Sequence, residues 1–272
     1  MTALPIVGAA LTIEEFAGLR AFMFDKDRDL ELQDFHRPDV LMNGVDDLAR
    51  RAADLLKGYR GRIGIHGPFW DFTIANWDPE VRTLVQRRMN VALDVCGIIG
   101  GTHMVVHSPF GDWDHNNLDN YPGARDAILT RCHQTMRPIV ERAEEMGVIL
   151  VIENVEDIDP LARIRLAESF GSNAVAVSVD TGHAHYVNGS RGAPPVDYFI
   201  KRAGALLRHI HLQDADGHAD RHWAIGDGTI LWPAVFASIA ALPEPPRLIL
   251  ELRDKSLISK SVRYLSELGL AE

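Results

Sequence analysis

The stretch 206–228 concentrates side chains that could bind a metal ion. It begins as a strand of alternating apolar and polar residues that reaches His211, and it then becomes a polar loop that contains glycine. The loop's charged or imidazole-bearing residues are Asp214, Asp216, His218, Asp220, Arg221 and His222. Imidazole and carboxylate groups at short spacing suit divalent cations such as Zn²⁺, Mn²⁺ or Co²⁺. A solvated surface loop has the same composition, so the other strands must decide between these two interpretations.

The other apolar runs of the chain end in the same kind of residue. The third to sixth runs and the eighth run end at His66, His107, Glu153, Asp180 (followed by His183) and Glu251. An ionised carboxylate inside an apolar strand is costly unless it is paired or bound to a metal. Lysine occurs at only five positions, and none of them ends a strand. A metal cluster therefore explains these residues better than a separate structural role for each one.

Eight short apolar runs are strand candidates, and amphipathic stretches of helical periodicity separate them. The runs are 6–11, 30–35, 63–66, 104–107, 149–153, 176–180, 207–212 and 248–252. Asp78-Pro79 and Asp159-Pro160 each provide a helix cap followed by proline at the first helical position, and Gly147 falls where a helix should stop. Buried strands alternating with helices predict an α/β fold with a parallel sheet, and eight units predict a (β/α)8 TIM barrel.

We expect a single domain that spans residues 1–272. An open doubly wound sheet is disfavoured because no glycine-rich phosphate turn follows the first strand. The segments 63–71 and 104–112 share the pattern H-[GS]-P-F-x-D, so two successive strands end in the same way. In a TIM barrel the active site lies at the carboxyl ends of the strands, which is where the candidate ligands are found.

The composition of the chain excludes some classes of function. Hydrophobic residues make up 46% of the chain and charged residues 24%, as in a globular protein with a large core. No apolar run approaches the ~18 residues of a membrane span, and the N-terminus lacks a basic signal region, so we expect a cytoplasmic protein with no membrane contact. The net charge of −10 argues against a broad nucleic-acid surface.

The motifs IENV, VDTGHA, HLQDADG, DRHWAIGDG and LILEL resemble those of the xylose isomerase-like TIM barrels, from the second strand to the eighth. This superfamily includes sugar isomerases, ketose 3-epimerases, inosose-type isomerases and endonuclease IV. The isomerase and epimerase branch implies one metal ion held by Glu153, Asp180, His211 and Glu251. It also implies that Glu153 and Glu251 form an acid/base pair that transfers a proton through a metal-stabilised enediolate.

Endonuclease IV implies a larger ligand set for three zinc ions. The additional ligands match His66, His107, His183, Asp220 and His222, so a phosphodiesterase acting on abasic DNA is the main alternative. Two departures disfavour it: NVEDID follows the strand-five carboxylate where the nuclease pattern has a glycine-containing turn, and the strand-seven loop lacks the nuclease's Asn and Lys. A lyase or glycoside-cleaving enzyme and a non-catalytic metal-binding barrel also stay open.

We therefore expect a sugar (or polyol-derived ketone) isomerase or epimerase that binds one to three divalent ions per chain. Zn²⁺ or Mn²⁺ is favoured, with Co²⁺ and Mg²⁺ as alternatives. The expected partner is a small sugar or keto-polyol, and a homo-oligomer is compatible with the sequence. Substrate-binding candidates on the loops are Trp70, Trp113, His185, Arg221 and Trp223. The tryptophans could equally pack as lids on the barrel, and Arg221 could form a surface ion pair.

Overall fold

Eight parallel strands form a closed barrel in the computed structural model, which describes residues 4–272. The strands are β1 (Gly8–Leu11), β2 (Leu30–Leu32), β3 (Ile63–His66), β4 (His103–His107), β5 (Ile149–Glu153), β6 (Val175–Asp180), β7 (Leu207–Leu212) and β8 (Arg247–Leu250). Each strand pairs with the next one in the chain, and β8 pairs with β1. The predicted (β/α)8 barrel is confirmed, whereas the single domain stays a prediction, and its residues 1–3 lie outside the described residues.

Helices surround the barrel. They are α1 (Ile13–Gly18), α2 (Arg20–Asp25), α3 (Pro38–Met42), α4 (Val45–Leu55), α5 (Pro79–Ile99), α6 (Asp112–Asn117), α7 (Ala124–Met146), α8 (Pro160–Ser169), α9 (Thr181–Arg191), α10 (Val196–Ala203), α11 (Trp232–Ala240) and α12 (Ile258–Glu267). The predicted caps are confirmed, since Asp78 and Asp159 accept backbone hydrogen bonds at the starts of α5 and α8, and Gly147 ends α7 with φ 68°. None of the helices in residues 4–272 has the length and apolar character of a membrane span.

The second strand is shorter than predicted. It ends at Leu32, and residues Asp34–His36 form a 3₁₀ turn instead of continuing the strand. The Asp34 carboxylate accepts a hydrogen bond of 2.8 Å from the Ile13 amide at the start of α1. Because the Asp34 side chain is bonded to the start of α1, the chain turns away from the sheet after Leu32.

Strand register brings the candidate ligands together. His107 is paired with Glu153 across β4 and β5, and Asp180 is paired with His211 across β6 and β7. The main hydrophobic core lies between the outer face of the barrel and the helices. A separate small cluster of Val105, Val151 and Ala176 fills part of the barrel interior. Val105 and Val151 are two residues before His107 and Glu153, so these ligands face the same interior.

Candidate metal centre

Four ligand-type side chains from four strands meet at the carboxyl end of the barrel, and we call them the central cluster: Glu153, Asp180, His211 and Glu251. His211 Nδ1 lies 3.4 Å from Glu251 Oε2 and 4.0 Å from Asp180 Oδ2, and it also contacts a Glu153 oxygen. None of the four residues is more than 9% exposed. Ligands about 2.0–2.2 Å from a tetrahedral ion are separated by roughly 3.4 Å, so the donors and spacing suit a divalent cation.

The central cluster holds several charges in a buried space. Burial opposes ionisation of Glu153, yet the charge of His211 and hydrogen bonds from His211 and His66 hold the pKa of Glu153 well below its usual range. Burial raises the pKa of Asp180 to about 6. Burial would lower the pKa of His211, but the charges of Glu251, Glu31 and Glu153 raise it well above its usual value. The surrounding carboxylates therefore favour a positive charge at the position of His211.

Two further clusters flank the central one. The first consists of His66, His107 and Glu153, and the second of His183, Asp220 and His222. In the first, the Nε2 atoms of His66 and His107 lie 3.7 and 3.5 Å from Glu153 Oε2. In the second, the Nε2 atoms of His183 and His222 lie 3.6 and 3.0 Å from the Asp220 carboxylate. The structure thus brings all nine predicted ligands into three adjoining groups, and their binding of metal stays a prediction.

Backbone carbonyls orient the outer imidazoles. The Nδ1 atoms of His66, His183 and His222 lie 2.9 Å from the carbonyl oxygens of Gly67, Asn154 and Glu251, respectively. A carbonyl oxygen only accepts, so each Nδ1 must carry a proton. The three rings therefore turn Nε2 toward their clusters, and Nε2 is the atom that could bind an ion there.

Gln213 connects the central cluster to the outer group of His183, Asp220 and His222. Its buried side chain donates to Asp220 Oδ1 at 2.9 Å and to the Asp180 carboxylate at 3.2 Å. Its side-chain oxygen accepts a hydrogen bond of 2.7 Å from the His222 amide. His222 has φ 51°, a left-handed conformation that costs a non-glycine residue about 1–2 kcal/mol. Gln213 therefore helps to hold a strained backbone that aims the His222 ring at Asp220.

Asp214 holds the loop after β7 in shape and does not belong to any of the three ligand groups. Its fully buried carboxylate accepts hydrogen bonds from the amides of Ala215 (3.0 Å), Gly226 (2.8 Å) and Ile230 (3.2 Å), and from Trp232 Nε1 (2.9 Å). These donors lie at both ends of the loop. One carboxylate therefore links the two ends of the loop that carries Asp220 and His222.

The predicted substrate-binding residues lie around the mouth of the barrel with varied surroundings. Trp70 is 47% exposed and donates to His36 Nδ1 at 2.9 Å, while Trp113 on α6 is 63% exposed. Arg221 is paired with Asp216 at 2.8 Å and lies over the ring of Trp223. His185 contacts the Thr229 hydroxyl at 2.7 Å and is outside the three ligand groups. A role in substrate binding stays a prediction for all five.

A cavity of about 270 Å³ opens beside His107. Its lining combines apolar rings with polar groups, among them Phe69, Phe110, Ser108, Asp114 and Glu156. Small-molecule sites typically measure about 300–1,000 Å³, so this cavity suits a small ligand. Its position next to a candidate metal ligand makes it a candidate substrate pocket.

The sequence interpretation missed several polar residues of this site. Glu31 on β2 and His209 on β7 lie inside the barrel beneath the central cluster, and both are at most 2% exposed. Gln33 donates to Glu251 Oε1 at 2.5 Å, and Lys255 lies 3.5 Å from the Gln33 side chain. A signal for Glu31 was present, because it is a lone carboxylate between Leu30 and Leu32 in an apolar run.

A family model described as a xylose isomerase-like TIM barrel matches residues 15–268. The chain belongs to this family. An uncharacterized protein of Methanocaldococcus jannaschii is 26% identical over 187 residues, which cover 65% of this chain and 59% of that protein. The chain thus spans about three-fifths of the length of this curated relative and 65% of that of a second one.

The solved structures that resemble the chain include sugar epimerases. A D-tagatose 3-epimerase-like protein has a TM-score of 0.72 and 21% identity, with 88% of this chain and 87% of that chain covered. The 3-keto-D-glucoside 4-epimerase from E. coli has a TM-score of 0.71 and 17% identity, with 97% of this chain and 99% of that chain covered. At these identities the likeness establishes the fold.

Proposed function

We propose that this chain is a divalent-metal-dependent isomerase or epimerase of a sugar or a polyol-derived ketone. One observation carries the proposal: Glu153 and Glu251 belong to a single buried cluster that Asp180 and His211 complete. The two glutamates come from β5 and from the end of β8, three strands apart around the barrel. Two carboxylates that approach one small space from different sides can serve as the acid and base of a proton transfer.

The central cluster would hold the ion, with Zn²⁺ or Mn²⁺ as the favoured metals. When bound there, a divalent cation polarises a carbonyl and the neighbouring hydroxyl and so acidifies the C–H bond between them. Glu153 and Glu251 would remove and return that proton. Gln33 donates to one Glu251 oxygen and fixes the orientation of its carboxylate.

The size and lining of the mouth support a small polyhydroxylated substrate. The cavity beside His107 is small, and its Ser108, Asp114 and Glu156 side chains offer acceptors for hydroxyl groups. Phe69 and Trp70 stack on each other with ring centroids 4.9 Å apart and form an aromatic wall nearby. Aromatic faces next to hydroxyl-binding groups suit the mixed apolar and polar surface of a sugar.

A trinuclear phosphodiesterase is the second candidate, because nine ligands lie in three adjoining groups. Charge disfavours it. Two arginines near the mouth are paired with carboxylates, Arg221 with Asp216 and Arg37 with Asp39, and the chain has 28 basic against 38 acidic residues. A nucleic-acid backbone is bound mainly by free cationic side chains, and neither of these two arginines is free.

The test is a substrate panel with the metal-loaded protein. Ketoses, inososes and keto acids are incubated with the Zn²⁺- or Mn²⁺-loaded protein, and epimers or isomers are resolved by NMR and chromatography. We expect interconversion of at least one substrate, and its loss when a chelator removes the metal. Duplex DNA with an abasic site is the parallel arm. Nicking of that DNA together with no interconversion in the panel would favour the phosphodiesterase instead.

A further inference from the structure

Glu31 contacts the side of His211 that faces away from the rest of the central cluster. The two Glu31 oxygens lie 3.0 and 3.1 Å from His211 Nε2. His209 Nε2 lies 3.1 Å from Glu31 Oε2, and His209 Nδ1 lies 2.8 Å from Ser178 Oγ. All four residues are at most 2% exposed. The contacts run in a line beneath the cluster, from Ser178 through His209 and Glu31 to His211, and we call these four residues the Glu31 network.

The chemistry of these groups fixes the direction of each hydrogen bond. An ionised carboxylate only accepts, so His211 donates its Nε2 proton to Glu31, and the same carboxylate, 3.1 Å from His209 Nε2, favours a proton on that nitrogen as well. His209 in this tautomer has its lone pair on Nδ1, where the Ser178 hydroxyl donates to it. His211 Nδ1 faces the carboxylates of the central cluster, and because Glu31 holds the proton on Nε2, Nδ1 is the nitrogen that can give up its proton to bind an ion. The network therefore selects the tautomer in which His211 can bind an ion through Nδ1.

His211 differs from the other imidazole ligand candidates in two respects. His66, His183 and His222 present Nε2 and give their Nδ1 proton to a backbone carbonyl, whereas His211 presents Nδ1 and gives its Nε2 proton to a carboxylate. A carboxylate partner raises the basicity of a ligating imidazole and orients its ring. His211 should therefore be the strongest of these nitrogen donors.

We propose that Glu31 is a positioning residue that gives the central cluster the highest affinity for the first divalent ion. This rests on the proposed function to the extent that the central cluster binds metal. Glu31, His209 and His211 also satisfy the composition of a metal site. However, the separations of 3.0 and 3.1 Å between the Glu31 oxygens and His211 Nε2 are those of hydrogen bonds. An ion there as well would require His211 to give up both ring protons.

Glu31→Gln tests the proposal because it keeps the shape of the side chain and removes its charge. The affinity of the metal-free protein for Zn²⁺ is measured by competition with a chromophoric chelator, ion by ion. We expect Glu31→Gln to weaken binding of the first ion about 10–100-fold and to leave later ions unchanged. The visible absorption of bound Co²⁺ should shift, since the His211 donor changes. Glu31→Asp keeps the charge and should recover part of the lost affinity.

Two further variants complete the test. Glu14→Gln removes the same charge from an exposed position on α1 and should bind the first ion like the wild type. Ser178→Ala removes only the outermost hydrogen bond, so it should weaken binding of the first ion less than Glu31→Gln does. If Glu31→Gln does not fold, Ser178→Ala takes its place in the test.

An unchanged first-ion affinity in these Glu31 network variants overturns the proposal. Loss of one whole equivalent of ion from Glu31→Gln, with the other ions unaffected, would make Glu31 a ligand and overturn it too. A wild-type protein that binds no ion would contradict the proposed function and this inference together.

Discussion

Replacing Asp214 by asparagine should destabilise the protein strongly. The carboxylate accepts four hydrogen bonds, two on each oxygen, in a fully buried position. Asparagine keeps one oxygen for two of the donors but turns an NH₂ group toward the other two. Hydrogen bonds to charged groups contribute about 1.5–3 kcal/mol each, so losing two of them should lower the free energy of unfolding by about 3–6 kcal/mol.

Urea unfolding of the metal-free protein measures this loss, with the free energy extrapolated to water. Asp216→Asn is the matched control, two residues further along the same loop. Asp216 is paired with Arg221 at the surface, where water screens the pair, so its replacement should lower the free energy of unfolding far less. A cost for Asp214→Asn that does not exceed that of Asp216→Asn would refute the assignment of Asp214 as the residue that closes the loop.

The remaining predictions concern the ligand groups. Glu251→Gln should leave a folded barrel and reduce turnover by a factor on the order of 10²–10⁴, as measured on the substrate found in the panel; a well-folded variant with near-normal activity would reject its acid/base role. Burial lowers the pKa of His222, but its hydrogen bond to the Asp220 carboxylate and the charges of Glu251 and Asp180 raise it to about 9. Ion uptake by the group of His183, Asp220 and His222 should therefore release a proton below pH 9, and its affinity should rise with pH up to that value. The stability that the raised pKa gives the metal-free protein is complete below about pH 6.5 and should be lost as the pH rises toward 9; an affinity that is independent of pH between 6 and 9 would contradict this assignment.

The positions of the ligands could be predicted because one rule governs them. Carboxyl ends of parallel strands meet at one face of a barrel, so residues that end successive strands become neighbours whatever the details of packing. His107 and Glu153 illustrate this, since they end adjacent strands and are paired in the register. The strand ends were visible as the points where apolar runs stop.

Glu31 and His209 were missed because they do not end a strand. The predicted second strand extended to Phe35, so Glu31 lay inside that strand. The end of the predicted strand carried no candidate ligand. The carboxylate of Asp34 bonds the start of α1, and this contact across 21 residues shortens the strand. His209 is two residues before His211, so strand periodicity alone would have placed both on one face.

The role of Asp214 could not be predicted from the sequence at all. Its partners Gly226, Ile230 and Trp232 lie 12 to 18 residues away, at the far end of an irregular loop. No periodicity relates positions across such a loop, so an aspartate that closes it looks the same in the sequence as an aspartate that binds metal. The register shift at Val177/Ser178, which sets how Asp180 meets His211, is likewise a product of packing.

Solvent proton exchange at the substrate carbon tests the central claim most directly. The metal-loaded protein is incubated in deuterated water with the panel of ketoses, inososes and keto acids, and deuterium at the carbon next to the carbonyl is followed by NMR. The proposed function predicts deuterium at that carbon in the substrate or its epimer, because a carboxylate base exchanges its proton with water. Chelation of the metal and Glu251→Gln should both abolish the exchange. The absence of deuterium from every member of the panel, together with cleavage of abasic DNA by the same preparation, would contradict the proposed function.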